Sequence, residues 1–307
     1  MAIAAAVSAT AGCGQATESP TATPAPPPAP LIVQVENSDA ARPQTGLGGA
    51  AIVYEYVAEG GVSRFSAIYP HPPATQVGPI RSARLATLSL LRLYQGVLIY
   101  SGADQYIQGL LDASGLPHYD ETTAAGDLFR VDSRAPPHNL YSDGPHLADA
   151  LKHAAAPSIA YSFFNPTSVA VQGKNVASFT VPLSKSEAPT WTWDPSHKSW
   201  TRSEPDTGQL VDAANQQPLR ATTVIVQQVA ITVAPQVVDV NGVLGVSHEL
   251  TGSGNAQVFD AGQQFDATWT QVASGPPMLT LAGGTSAPVT TGSVWIELVA
   301  DGSPVKL

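Results

Sequence analysis

The chain has 307 residues, 43% of them hydrophobic and 12% charged, enough apolar sequence to bury a sizeable core in two domains. Its formal net charge of −10 argues against a general nucleic-acid binder, because affinity for a phosphate backbone needs a broad basic surface. Apolar runs all stay below about 18 residues, so no segment is expected to span a bilayer as a helix.

The chain opens with an Ala-rich apolar stretch that ends at Thr10-Ala11-Gly12-Cys13. This pattern is similar to the signal and lipobox of bacterial lipoproteins, where the cysteine becomes the lipidated first residue. Two features depart from it: Thr10 stands where a larger aliphatic residue is usual, and no Lys or Arg precedes the apolar run. The alternative is an incidental thiol in a disordered tail. Cys13 is the sole cysteine, so no disulfide is expected. The segment GQATESPTATPAPPPAP, up to Pro30, cannot bury a core and reads as a polyproline-like tether of ~50 Å at about 3.1 Å per residue. Residues 1–13 are thus a signal-like segment and 14–30 a tether.

Folded sequence begins at Leu31. LIVQVEN reads as a first strand, and AAIVYEYVAEGGVSRFSAIYP as a hairpin hinged at Glu59-Gly60-Gly61. Between Ser82 and Tyr94, Leu85, Leu88, Leu90, Leu91 and Leu93 surround most of the helical circumference, the mark of a buried helix. GVLIYSGADQYIQGLLDASG gives strand, turn and helix, followed by a short strand at DLFRVD and a helix near residues 146–155. Strands alternating with helices point to a mixed α/β, or α+β, domain over residues 31–165. From 166 to 307 the runs ASFTVPL, TWTWD, ATTVIVQQVAITVAP, AQVFDA, QFDATWTQV, PMLTLAG and SVWIELV form a β-rich pattern, read as a small barrel or sandwich whose first strand could join the N-terminal sheet.

All seven basic residues before position 150 are arginines: Arg42, Arg64, Arg81, Arg84, Arg92, Arg130 and Arg134. Arginine presents a planar fork that grips carboxylate or phosphate in a bidentate manner, although a genomic bias in composition would produce the same preference. In VGPIRSARLATL, Arg81 and Arg84 fall at the start of the buried helix. A helix N-terminus carries roughly +0.5 charge and disfavours cations by about 0.3–1 kcal/mol unless something negative compensates. The two arginines therefore describe an anion pocket, or else Glu55, Glu59 or Glu36 neutralises them internally. Ser101-Gly102-Ala103-Asp104, at the carboxyl end of the strand GVLIY, is a second anion-friendly turn if it faces Arg81 and Arg84.

RVDSRAPPHNLYSDGPH packs charged and hydrogen-bonding groups into a Pro-punctuated loop, where His138 could act as general acid or base with Asp132 orienting it. Alternatively, Arg134, His138 and Asn139 pin the loop by hydrogen bonds. His138 and His146 do not have zinc spacing. Glu55 and Glu59 invite a glycosidase reading, but they would lie roughly 13 Å apart on one strand face at ~3.3 Å per residue, so Glu55 would need Asp132 or Glu36 as partner. Gly46-Leu47-Gly48-Gly49 precedes a strand rather than a helix, so it reads as a turn and not a dinucleotide loop. Most of the five tryptophans fit core and cross-strand packing better than sugar stacking.

ENSDAARPQTGLGGAAIVYEYVAEGGVSRFSAIY, VGPIRSAR, RAPPHNLY, WTWDPSHKSWTR and GSVWIELV together resemble the YerB-like lipoproteins, whose N-terminal and C-terminal DUF3048 domains are both of unknown function. The resemblance spans nearly all of residues 31–300 and implies a lipid-anchored extracytoplasmic protein. It brings no catalytic residues and no cofactor. The residues themselves favour binding of an anionic envelope component, a phosphate-bearing glycan or lipid-linked precursor, through Arg64, Arg81, Ser82, Arg84, Ser101, Gly102, Arg134, His138 and Asn139. Two alternatives stay open: a glycan-processing enzyme using Glu55, Asp132 or His138, and an interaction module that positions cell-wall enzymes. With a complete signal in a bacterial host, the wild type is expected to incorporate labelled fatty acid and sediment with membranes. Cys13→Ala should lose both properties, and equal labelling of the two proteins would refute lipidation.

Overall fold

The computed structural model describes residues 1–2, 29–124, 126–154, 164, 171–238, 242–271 and 274–307; Cys13, most of the tether and the 165/166 boundary lie outside them. The N-terminal half starts with β1 (Leu31–Glu36), whose side chains are buried on both faces. β2 (Ile52–Val57) and β3 (Ser63–Tyr69) form the expected hairpin. Gly60 and Gly61 take φ of +78° and +83° at its tip, the region that favours glycine. Next come α1 (Leu85–Tyr94), β4 (Val97–Ile99), α2 (Gln105–Ser114) and β5 (His118–Tyr119). A short ribbon of β6 (Phe129–Arg130) and β7 (Leu140–Tyr141) precedes α3 (Gly144–His153).

The helix limits follow from local chemistry. Asp104 caps α2 by accepting from Tyr106 N, Asp143 caps α3 by accepting from His146 N, and Gly115 ends α2 in the left-handed region. Gly46, at φ +86°, begins the Gly46-Leu47-Gly48-Gly49 turn, and a Cβ there would lie 2.4 Å from Gln76 O. Gly46 N and Gly48 N both donate to the buried Asp212 carboxylate at 3.0 Å. The motif is thus a tethered turn.

The second half supplies β8 (Lys174–Asn175), β9 (Ser178–Thr180), β10 (Thr190–Asp194), β11 (Ser199–Glu204) and β12 (Gly208–Gln209). β13 (Val211–Asp212), β14 (Gln217–Pro218), β15 (Arg220–Ala221), β16 (Thr223–Val229), β17 (Ile231–Val237) and β18 (Leu244–His248) follow. The chain then forms β19 (Gly252–Asp260), β20 (Gln263–Gln271), β21 (Met278–Leu281) and β22 (Val294–Ala300).

The chain is mostly β, with mixed sheets and three α-helices among the described residues. One 11-stranded sheet has the order β21-β20-β19-β16-β22-β2-β3-β1-β4-β5, with β8 attached to β20. The barrel alternative of the barrel-or-sandwich expectation is corrected: among the described residues no strands close on themselves, and six C-terminal strands, β8 included, join the N-terminal sheet. β22 carries the join. It pairs in parallel with both β2 and β16, matching Glu55 to Glu297. Its side chains are buried on both faces, the character of a central parallel strand covered from both sides.

Residues alternate between two cores. One face packs Ile32, Tyr54, Ile68, Leu98 and Ile296 against Leu88 and Leu91 of α1 and Ile107 of α2. The other packs Val33, Val53, Phe65 and Trp295 against Trp191 and Trp200 of the second sheet, β12-β11-β10-β9 with β15. Trp191, Trp200, Trp269 and Trp295 are buried, as expected for packing residues.

Candidate functional site

β1 and β4 run parallel, so their carboxyl ends lie together. Residues 79–83 are laid across these ends: Glu36 N donates to Pro79 O at 3.0 Å, Arg81 N to Gln34 O at 2.9 Å, and Ser101 N to Arg81 O at 3.0 Å. Ala83 N donates to Gly102 O at 3.0 Å, and the Ser82 and Ser101 hydroxyls are 3.5 Å apart. The Ser101–Asp104 turn therefore does face the Arg81–Arg84 segment. A Cβ at Gly102 would meet open space.

Three arginines and two carboxylates gather here. Glu36 and Arg64 are cross-strand partners on β1 and β3. Arg81 Nε lies 3.4 Å from Glu36 Oε1, and Arg84 Nε pairs with Glu59. Internal neutralisation, one of the two alternatives, thus holds for Arg81 and Arg84. Arg64 differs. It is buried, it donates through NH1 only to the adjacent Ser63 carbonyl, and its Nε has no partner among the described residues. No described carboxylate comes within ion-pair distance of it. Burial, and then the Arg84 charge, pull its guanidinium down to about 10 against the attraction of the nearby Glu36 carboxylate. Arg81 keeps a quarter of its side chain exposed, and its terminal nitrogens have no described partner.

In the 130–146 loop, Arg134 and Asn139 follow the pinning alternative. Arg134 donates to the carbonyls of Ala40, Ala41 and Pro43, while Asn139 accepts from Arg130 and donates to Val131 O. Both therefore pin the loop. Asp132 is exposed and is not the carboxylate on His138; that role belongs to Glu36, whose Oε2 is 2.9 Å from His138 Nδ1. Of the remaining arginines, Arg130 pairs with Glu121 at the surface and Arg92 is exposed. No group of three or more metal-ligating side chains converges among the described residues.

Glu55 points to the opposite face and is fully buried, which removes it from contact with an external substrate. Its Oε2 accepts from Arg202 NH2 at 2.6 Å, and its Oε1 accepts from Ser63 Oγ at 2.7 Å and Asn37 Nδ2 at 3.1 Å. Arg202 also pairs with Glu204 and lies over the rings of Phe65 and Trp295, 5.4 and 5.5 Å from their centroids. Burial opposes the Arg202 charge, but Glu55, Glu204 and Glu297 together raise its pKa above the ordinary value. Burial, and then the Glu55 charge, push Glu297 well above the carboxylate range, and Trp191 Nε1 donates to it at 2.8 Å. These buried partners escaped the sequence reading. The available signal was a carboxylate interrupting an apolar strand, in LIVQVE, IVYEYV and VWIELV alike.

Toward solvent this cluster ends at Arg42, which contacts Asp39, Glu187, Glu204 and Asp206 beside a cavity of about 290 Å³. Burial, and then Glu55, raise the Glu187 carboxyl to about 7 despite Arg42. A raised carboxyl pKa means that the folded state holds the proton more tightly than the unfolded chain. The stability this contributes is complete below the ordinary glutamate range and is lost as pH climbs through about 7. Glu187→Gln should therefore flatten the fall in urea-unfolding stability across that interval. An unchanged pH profile would contradict the assignment.

The chain matches two family models, the DUF3048 N-terminal domain over residues 16–157 and the DUF3048 C-terminal domain over residues 179–296, both described as protein of unknown function. It is 25% identical over 280 residues to "Putative lipoprotein YerB" of Bacillus subtilis (strain 168), covering 89% of this chain and 81% of that one. The crystal structure of the YerB protein from Bacillus subtilis superposes with a TM-score of 0.77 at 23% identity, covering 91% of this chain and 94% of the other. With both domains in order and the fold in common, the chain belongs to the DUF3048 family of YerB-like proteins.

Proposed function

We propose that this protein is held outside the cytoplasm by a lipid on Cys13 and binds a phosphate-bearing envelope glycan or lipid-linked precursor at the Arg64–Arg81–Arg84 cluster. The anchor is supported by the Cys13 pattern and by the name of the B. subtilis relative. The observation that carries the binding reading is Arg64, a buried guanidinium with no carboxylate at ion-pair distance among the described residues. A buried charge with no counter-ion in contact costs several kcal/mol, and an incoming anion relieves that cost. Arg81 supplies a partly exposed fork beside it, and Gly102, next to the Ser82–Ser101 hydroxyl pair, borders open space. Three guanidinium charges face two carboxylates, so an anion completes the balance.

The glycan-processing alternative loses Glu55 as one of its acid/base candidates, since that carboxylate is sealed in the core. Titration calorimetry with inorganic phosphate tests the anion site. The wild type should bind one phosphate. Arg81→Gln should weaken binding by about tenfold or more, because a charge-assisted hydrogen bond contributes about 1.5–3 kcal/mol. No heat from the wild type, or equal affinity in the variant, would refute the reading.

A further inference from the structure

Beside the arginines lies a histidine–carboxylate pair in a loop that other contacts already anchor. Arg134 ties the loop to three carbonyls, Val131 N donates to Asn139 O at 2.9 Å, and Ile80 N donates to Leu140 O at 2.7 Å. None of these contacts needs the His138 ring. That ring nevertheless places Nδ1 on the buried Glu36 carboxylate at 2.9 Å while remaining 23% exposed. A carboxylate on Nδ1 holds the tautomer protonated there and leaves the Nε2 lone pair free. Among the described residues, nothing hydrogen-bonds Nε2. The other oxygen of Glu36 holds Arg81 and accepts from Ser38 Oγ at 2.8 Å. One buried carboxylate thus positions both a base and an anion-binding guanidinium.

We infer that the site hydrolyses a phosphate ester, with His138 Nε2 as general base; this rests on the anion-site reading above. A water molecule between Nε2 and the bound phosphorus attacks. Its oxygen forms the new P–O bond, and its proton passes to Nε2. The ester P–O bond breaks with its electron pair on the departing oxygen, and the imidazolium then returns the proton to solvent. Arg64, Arg81 and Arg84 stabilise the developing charge but donate no proton, since arginine stays protonated. The substrate class is therefore a phosphate ester or phosphoanhydride whose leaving group departs as an anion, such as an aryl phosphate or a diphosphate.

Hydrolysis of p-nitrophenyl phosphate by the full chain tests this directly. The wild type should release nitrophenolate, with inorganic phosphate as a competitive inhibitor. His138→Ala should lower kcat by about 10²–10⁴ while keeping its phosphate affinity, and added imidazole should restore part of the rate. His138→Gln, which keeps a hydrogen-bond donor toward Glu36, covers the case in which the alanine variant does not fold. Phosphate binding without nitrophenolate release, or undiminished turnover in both variants, would overturn the hydrolytic inference and leave the anion site standing. Absence of phosphate binding by the wild type would remove both.

Discussion

Charge buried against a single sheet is the constraint on which this fold depends. An ion taken out of water costs several kcal/mol unless a partner and further hydrogen bonds compensate. At the join of the two sequence halves, Glu55 of β2 and Glu297 of β22 stand side by side. They are tolerable there because Arg202 arrives from the facing sheet and because one carboxyl, Glu297, is driven toward its protonated form. Asn37, Ser63 and Trp191 occupy further oxygen lone pairs. Removal of one partner would strand the others, so the cluster fixes which layer lies over which sheet face.

The same strand ends carry charge on the other face, where compensation is incomplete. Glu36 and Asn37 are consecutive, so their side chains serve opposite sides of the sheet. Glu36 holds Arg81 and His138, while Asn37 holds Glu55 and accepts from Arg42. Ser38 and Asp39 continue the division, the first bonding Glu36 and the second Arg42. A four-residue segment thus braces two charged clusters. On the Arg202 side each cation has carboxylates at contact distance. On the Arg64 side one cation has none among the described residues, and that difference separates scaffold from candidate site.

Much of the local structure was legible in the sequence. TWTWD is β10, residue for residue, and the leucine-rich stretch before Tyr94 is the buried helix α1. The Arg81–Arg84 segment and the Ser101–Gly102 turn do meet, which the sequence had left as an open condition. Long-range partnership was not legible. ATTVIVQQVAITVAP reads as one β run, yet it splits at Ala230 into β16 inside the main sheet and β17 in a separate ribbon with β18. Nothing in a run of apolar residues says which distant strand it will join, so β22 could not be placed beside β2. For the same reason Glu55 looked like a candidate catalyst. Its partner Arg202 lies 147 residues away in sequence, on a strand of the facing sheet.

In the proposed function Arg64 is a buried cation that takes an external anion, whereas Arg202 is balanced from within. Urea unfolding of wild type and Arg64→Met, with and without phosphate, tests it most directly. Replacing a buried charge that no described carboxylate contacts by an apolar side chain of similar length should leave the phosphate-free protein at least as stable, and added phosphate should stabilise the wild type alone. A phosphate-free loss of about 3 kcal/mol or more in the variant, with no phosphate effect on the wild type, would show Arg64 to be scaffold and contradict the claim.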